Sequence, residues 1–157
     1  MALPEARPGL VFRYEYVWKR QELAGQSVGE KERPACVVMA VSGAAGDRRV
    51  MIVPITTQPP ADDVPAVEIL PRVMRHLGLD IDRRSWIILS EANLDAWPSP
   101  DMRPIPGQPG RFEYGLLPQR MVNTIRETIL AALAAKQLAT VNRDDDAPAP
   151  LSRVPGG

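Results

Sequence analysis

Lys31-Glu32-Arg33-Pro34-Ala35-Cys36-Val37-Val38-Met39 and Val50-Met51-Ile52-Val53-Pro54-Ile55-Thr56-Thr57-Gln58 are the two stretches whose reading decides the fold. Ala35 to Val41 and Val50 to Ile55 are continuous apolar runs of strand length, which predicts central strands. Gly43-Ala44-Ala45-Gly46-Asp47 lies between them and supplies the residues of a turn. If the two strands form an antiparallel hairpin, the start of the first and the end of the second share one side of the sheet. Arg33 then stands beside Thr56 and Thr57. A fixed cation next to a hydroxyl is a natural partner for a phosphate.

Outward from this hairpin, Leu10 to Trp18 alternates. Leu10, Phe12, Tyr14, Tyr16 and Trp18 share one face, and Val11, Arg13, Glu15 and Val17 the other, which predicts a half-buried strand. Lys19 to Glu32 is polar, contains Gly25 and Gly29, and reads as a mobile functional loop. Ala66 to Leu70 predicts a short strand. Pro71 suits the first turn of a short helix ending near Gly78. Ser85 to Leu89 predicts a strand that continues toward Trp97, and Met102 to Ile105 allows a small one. From Pro118 the period changes to that of a helix, with Met121, Ile125, Ile129 and Leu133 as its apolar stripe and Val122 and Leu130 beside it. The layout is mostly β with α: a small barrel-like domain over residues 8–140, with an insert helix and a C-terminal amphipathic helix. Residues 141–157, rich in Asp, Pro and Gly, read as a disordered tail.

Composition narrows the function classes. The chain has 157 residues and is 45% apolar, enough for one globular core, but only 5% aromatic. Its formal net charge is zero, so nucleic-acid binding requires a local basic patch. Arg48-Arg49, with Arg13, Arg20 and Lys31, can form such a surface or can be a solvated turn. Tyr14, Tyr16, Trp18 and Trp97 are candidates for base stacking or for core packing. The single cysteine, Cys36, excludes an intrachain disulfide and any cysteine-rich metal site, and it sits in an apolar run as a core residue. His76, the sole histidine, falls near the end of the short helix, so a two-histidine nuclease cannot be built within one chain. No HExxH, Walker loop or GxSxG motif occurs. The N-terminus carries no basic-then-apolar signal and no run reaches membrane-span length, so the expectation is a cytoplasmic protein without a membrane partner.

The order of these segments resembles the MazF/PemK (Kid, CcdB-like) toxin family of type II toxin–antitoxin systems. The matching features are a first strand, a loop, Arg33-Pro34 with the small apolar run after it, Pro54-Ile55-Thr56-Thr57-Gln58 closing a later strand, Ile88-Leu89-Ser90-Glu91-Ala92-Asn93, and the closing helix. The resemblance spans about residues 8 to 138. It implies an SH3-like barrel that forms a homodimer. It also implies a metal-independent, sequence-selective endoribonuclease that cuts single-stranded RNA and is silenced by a cognate antitoxin protein. By position it makes Arg33 and Thr56 the catalytic pair. Arg13, Lys31, Arg48, Arg49, Thr57 and Gln58 are expected as RNA contacts, with no metal and no cofactor. The chain departs from the family pattern in its longer first loop, in Val28 where an acidic residue often precedes the Arg by five, and in Glu91 where many relatives have Gln.

The chemistry of the pair is consistent with this expectation. RNA cleaves when its 2′-hydroxyl attacks the adjacent phosphorus, and a protein must align that attack and stabilise the charge on the phosphoryl oxygens. A guanidinium offers a planar fork for two oxygens, and a threonine hydroxyl adds a further hydrogen bond. Arg33 is a charge stabiliser and a candidate proton donor, because a guanidinium does not act as a base. The sequence leaves the base unassigned. The alternative is a non-catalytic toxin or binding module of the same fold that acts on a protein target, for which the Arg33/Thr56 pair has no use.

Overall fold

The computed structural model of the protein describes residues 3–25, 31–42 and 48–143. The 43–47 turn, Val28, Gly29, Glu30 and the tail from residue 144 lie outside them. The described elements are β1 (Leu10–Tyr14), α1 (Lys19–Leu23), β2 (Arg33–Ser42), β3 (Arg48–Thr56), β4 (Ala66–Glu68), α2 (Pro71–Leu77), β5 (Trp86–Ile88), β6 (Glu91–Ala96), β7 (Glu113–Leu116), α3 (Gln119–Ala134) and β8 (Ala139–Asn142). The architecture is mostly β, with a curled sheet of the half-barrel kind and three helices.

The sheet has eight strands and is organised by β3. One edge of β3 pairs antiparallel with β2 in the register Cys36↔Val53 and Val37↔Ile52, with a bulge between Val37 and Met39. The other edge is shared: Arg49 to Ile52 pair with β6, and Ile55 and Thr56 pair with β5. The strand expected from Ser85 toward Trp97 is therefore two strands with a break at Leu89-Ser90. β1 pairs with β2 and β7, and β8 lies parallel to β6.

Strand alternation sorts side chains into two cores. Leu10, Phe12, Tyr14, Tyr16, Ala35, Val37, Val50 and Ile52 gather with Trp97 and Met102. Val11, Cys36, Val38, Met51, Val53 and Ile55 face the other way, onto Val73, Met74 and Leu77 of α2 and Val122, Ile125 and Ile129 of α3. β1 is thus covered on both faces rather than half-buried, because β2 and β7 place it inside the sheet and each face meets a core. It also ends at Tyr14, short of Trp18. Tyr14, Tyr16 and Trp97 are core residues packed edge-on or tilted to their aromatic neighbours, so core packing is their role.

Local chemistry accounts for the helices. α2 has Pro71 in its first turn, and Gly78 ends it in the left-handed conformation at φ 74°, where a side chain would be strained. Gly9 leads into β1 at φ 93°, and a Cβ there would meet Val122 Cγ2 at 2.6 Å, so this glycine lets α3 approach the sheet. On α3 the buried line is Val122, Ile125 and Ile129, whereas Leu130 and Leu133 of the expected stripe are exposed.

Four expectations are corrected. Lys19–Leu23 is a helix, not a loop, and long-range hydrogen bonds hold its start. Met102 makes an isolated bridge to Tyr14 rather than a strand. β7 is an additional strand. The ordered domain extends past residue 140: β8 runs to Asn142, and Arg143 is buried. Arg143 donates to Asp101 Oδ2 at 2.6 Å, to Asn93 Oδ1 at 3.1 Å, to the Tyr14 hydroxyl at 3.2 Å and to the Glu15 carbonyl at 2.7 Å. Tyr14 and Ser99 in turn donate to Asp95 at 2.7 Å and 2.6 Å.

A buried cation that loses its site leaves several acceptors unpaired. Arg143→Ala is expected to destabilise the protein by about 3 kcal/mol, measured from the denaturant midpoint. A chain ending at Arg143 should keep the midpoint of the full chain, and one ending at Gln137 should not.

Candidate functional site

Two residues beyond the Ala35↔Pro54 pair, the β2–β3 register brings the chain to Arg33 on one strand and Thr56 on the other. Both line a groove of about 550 Å³. Thr57, Gln58, Pro59 and Pro60 continue its wall from the end of β3. Trp18 and Arg20 come from the start of α1, Lys31 from the approach to β2, Arg83 from the turn before β5, Ser90 from the break between β5 and β6, and Glu91 from the start of β6. Arg20, Lys31, Arg33 and Arg83 set four cations against one carboxylate in a protein of zero formal charge. The local field is therefore positive although the global one is not.

The groove is preorganised. The Arg33 guanidinium carbon lies 5.2 Å from the centroid of the Trp18 ring, and that of Arg20 lies 5.3 Å from it. Cation–π attraction of this kind fixes the direction of a long side chain. Trp18 itself packs edge-on against Tyr16 at 5.2 Å. The Thr56 Oγ1 accepts the Gln58 N–H at 3.1 Å, which turns the chain at the end of β3 and leaves the hydroxyl proton to donate outward.

Glu91 closes the far side. Its Oε1 accepts the Lys19 N–H at 2.8 Å and the Tyr16 hydroxyl at 3.2 Å. The first bond satisfies an N–H at the start of α1, whose Trp18 N–H is met by Gln21 Oε1 at 2.9 Å. Burial raises the Glu91 carboxyl above its ordinary value, against the pull of those hydrogen bonds and of the Arg20 and Lys19 charges. Burial likewise lifts the Tyr16 phenol well above its ordinary range and pushes the Cys36 thiol up to about 12, which leaves that cysteine inert at neutral pH.

Of the sequence-derived candidates, Lys31, Arg33, Thr56, Thr57 and Gln58 therefore meet in one groove. Arg13 lies in an adjoining groove of about 410 Å³ that shares Thr56, Thr57 and Arg83 with the first. There its guanidinium donates to Glu32 at 2.9 Å and to the Tyr114 hydroxyl at 3.1 Å. Arg48 and Arg49 are not brought to either groove. They begin β3, which ends at Thr56, roughly 26 Å away by strand rise, and Arg49 donates to Asn142 at 2.8 Å. Of the stacking candidates, Trp18 alone lines the groove. Sequence reasoning missed Arg83, which sits in an Asp/Arg turn with no motif around it. His76 lies on α2 and lines neither groove.

Among the described residues no group of three or more His, Cys, Asp or Glu could hold a metal ion, and no helix is long and apolar enough to cross a membrane. In comparisons with known proteins, no family model matches this chain and no curated protein matches it closely.

The geometry separates the basic residues by position. Arg83→Ala is expected to lower by about one unit the salt dependence with which a short single-stranded oligonucleotide binds, as for one lost phosphate contact. The double change of Arg48 and Arg49 to Ala should leave that slope unchanged. Fluorescence titration at several salt concentrations reads both.

Proposed function

We propose that the protein is a metal-independent endoribonuclease that cleaves single-stranded RNA, acting as a toxin of the MazF/PemK kind on an SH3-like barrel. The observation that carries this reading is the meeting of Arg33 and Thr56 in one cationic groove. The two are 23 positions apart in the chain, and the β2–β3 register brings them together. That juxtaposition agrees with the Arg-Pro and Thr-Thr-Gln resemblance.

In this reading a phosphodiester of the RNA lies against Arg33 and Thr56. The guanidinium donates to the non-bridging oxygens, and the Thr56 hydroxyl donates one further hydrogen bond as negative charge grows on them. The 2′-oxygen bonds to phosphorus and the bond to the 5′-oxygen breaks. The products are a 2′,3′-cyclic phosphate and a 5′-hydroxyl. The Trp18 ring, partly exposed in the groove wall, backs the Arg20 and Arg33 guanidinium groups toward the RNA. The need for a 2′-hydroxyl makes RNA, not DNA, the substrate. The same resemblance extends the proposal to a homodimer, a cytoplasmic setting, and inhibition by a cognate antitoxin.

The test is incubation of the protein with a mixed-sequence single-stranded RNA in the presence of chelator, followed by analysis of the cut ends. Cleavage with cyclic phosphate and 5′-hydroxyl termini is expected. Activity abolished by chelator and restored by magnesium would count against the proposal. Binding of RNA without cutting would favour a non-catalytic module instead.

Variants assign the parts. Arg33→Ala is expected to slow cleavage by about a hundredfold or more, as for one preorganised donor. Arg33→Lys should recover little, since an ammonium cannot reproduce the fork. Thr56→Ala should fall between Arg33→Ala and Thr57→Ala. Single-turnover rates measure all four, and unchanged melting temperatures check that the fold is intact.

A further inference from the structure

Glu91 is the one side chain among the described lining residues of the groove that can accept a proton at neutral pH. The others are Trp, Arg, Lys, Thr, Gln, Pro, Val, Ile and Ser. The carboxylate is also held in a specific relation to Arg33. The backbone N–H of Lys19 binds its Oε1, while the ring of the preceding residue, Trp18, carries the Arg33 guanidinium. Adjacent residues of one short segment thus hold the cation and the carboxylate on the same groove. Both hydrogen bonds to Glu91 converge on Oε1, and among the described residues no donor reaches Oε2.

We propose that Glu91 is the general base of the cleavage proposed above, an assignment that rests on that reading. Oε2 takes the proton of the 2′-hydroxyl as the 2′-oxygen bonds to phosphorus. The bond from phosphorus to the 5′-oxygen breaks, and the departing 5′-oxygen takes a proton from water. The electron pair of the O–H bond becomes the new P–O bond, and the proton on Glu91 returns to solvent after release. The Tyr16 hydroxyl and the Lys19 N–H fix the carboxyl plane through Oε1, and Oε2 accepts no hydrogen bond from the described residues.

Burial that raises the Glu91 pKa increases its strength as a base. The groups that act on this carboxyl are the phenol of Tyr16 and the cations Lys19 and Arg20 of α1, while Lys31, Arg33 and Arg83 line the same groove. The cations favour the ionised form and limit the rise. β8 meets Glu91 through the backbone at Ala139 and brings no charged side chain in that pair.

A purely structural account competes with this one, because Glu91 also satisfies the first N–H of α1. The Gln variant separates the two. Its amide oxygen can accept the same two hydrogen bonds, but it cannot take a proton. The sign of the stability effect follows from the raised pKa. The stabilisation linked to a raised carboxyl is present below the ordinary carboxylate range and is lost as pH rises through the folded value, so removing the charge does not weaken the fold at neutral pH.

The experiment measures single-turnover cleavage of one single-stranded RNA in chelator by the wild-type protein and by Glu91→Gln, across pH. It is paired with melting temperatures and with binding of the same sequence carrying 2′-O-methyl groups throughout. Wild-type cleavage should rise with pH through a pKa above the usual value of about 4.3. Glu91→Gln should cut about a hundredfold more slowly or worse, lose that acid limb, melt no lower, and bind the 2′-O-methyl strand equally well. A Gln variant that cleaves at the wild-type rate, or retains the limb, overturns the assignment to Glu91 and leaves the endoribonuclease reading standing. A wild-type protein that forms no cyclic phosphate overturns both.

Discussion

The register between β2 and β3 is the constraint on which the rest depends. Cys36 opposite Val53 and Val37 opposite Ile52 commit alternate side chains of each strand to opposite cores. A slip of β2 by one residue against β3 would turn its set over: Cys36 and Val38 would face the aromatic cluster, and Ala35 and Val37 the helices. The bulge after Val37 is part of this arrangement. It lets Val38 and Met39 both pack toward the helices while a single residue, Met51, answers them on β3. The same register decides which side chains meet at the strand ends. Arg33 faces Thr56 because the hydrophobic pattern, several residues away, permits no other pairing.

The groove is built by converging elements rather than by one motif. β2 and β3 supply the cation and the hydroxyl, and the start of β6 supplies the carboxylate. The short segment from Tyr16 to Gln21 ties the two sides together. In that segment Tyr16 anchors Glu91, Trp18 supports Arg33, and the buried Gln21 caps its own helix. A five-residue helix has little stability of its own. It persists because its first N–H groups are bound by side chains and its preceding residues belong to the core. Packing thus positions the polar residues, and the polar residues in turn hold α1.

Much of this was legible in the sequence where the signal is local. The two apolar runs give β2 and β3, the proline and glycine bracket α2, and the period of four gives α3. The juxtaposition of Arg33 with Thr56 follows from assuming a hairpin. What was not legible depends on partners far along the chain. β7 and β8 are four residues each and mixed in polarity, so only their pairing with β1 and β6 defines them. α1 reads as loop because its stabilisation comes from Glu91, more than 70 positions away. Arg83 and Arg143 carry no local pattern, and each acquires a role from what surrounds it in space.

The Arg143 network has a consequence for how the protein comes into being. Synthesis runs from the N-terminus, so Tyr14, Asn93 and Asp101 leave the ribosome before the cation that binds them. Until residues 139–143 emerge, β6 has an open edge where β8 will lie, and Asp101 lacks its 2.6 Å ion pair with Arg143. The nascent chain can assemble the β1–β2–β3 core early, but it closes the β6 edge only after residues 139–143 have emerged. Closing of that edge therefore waits on a segment far along the chain from β1.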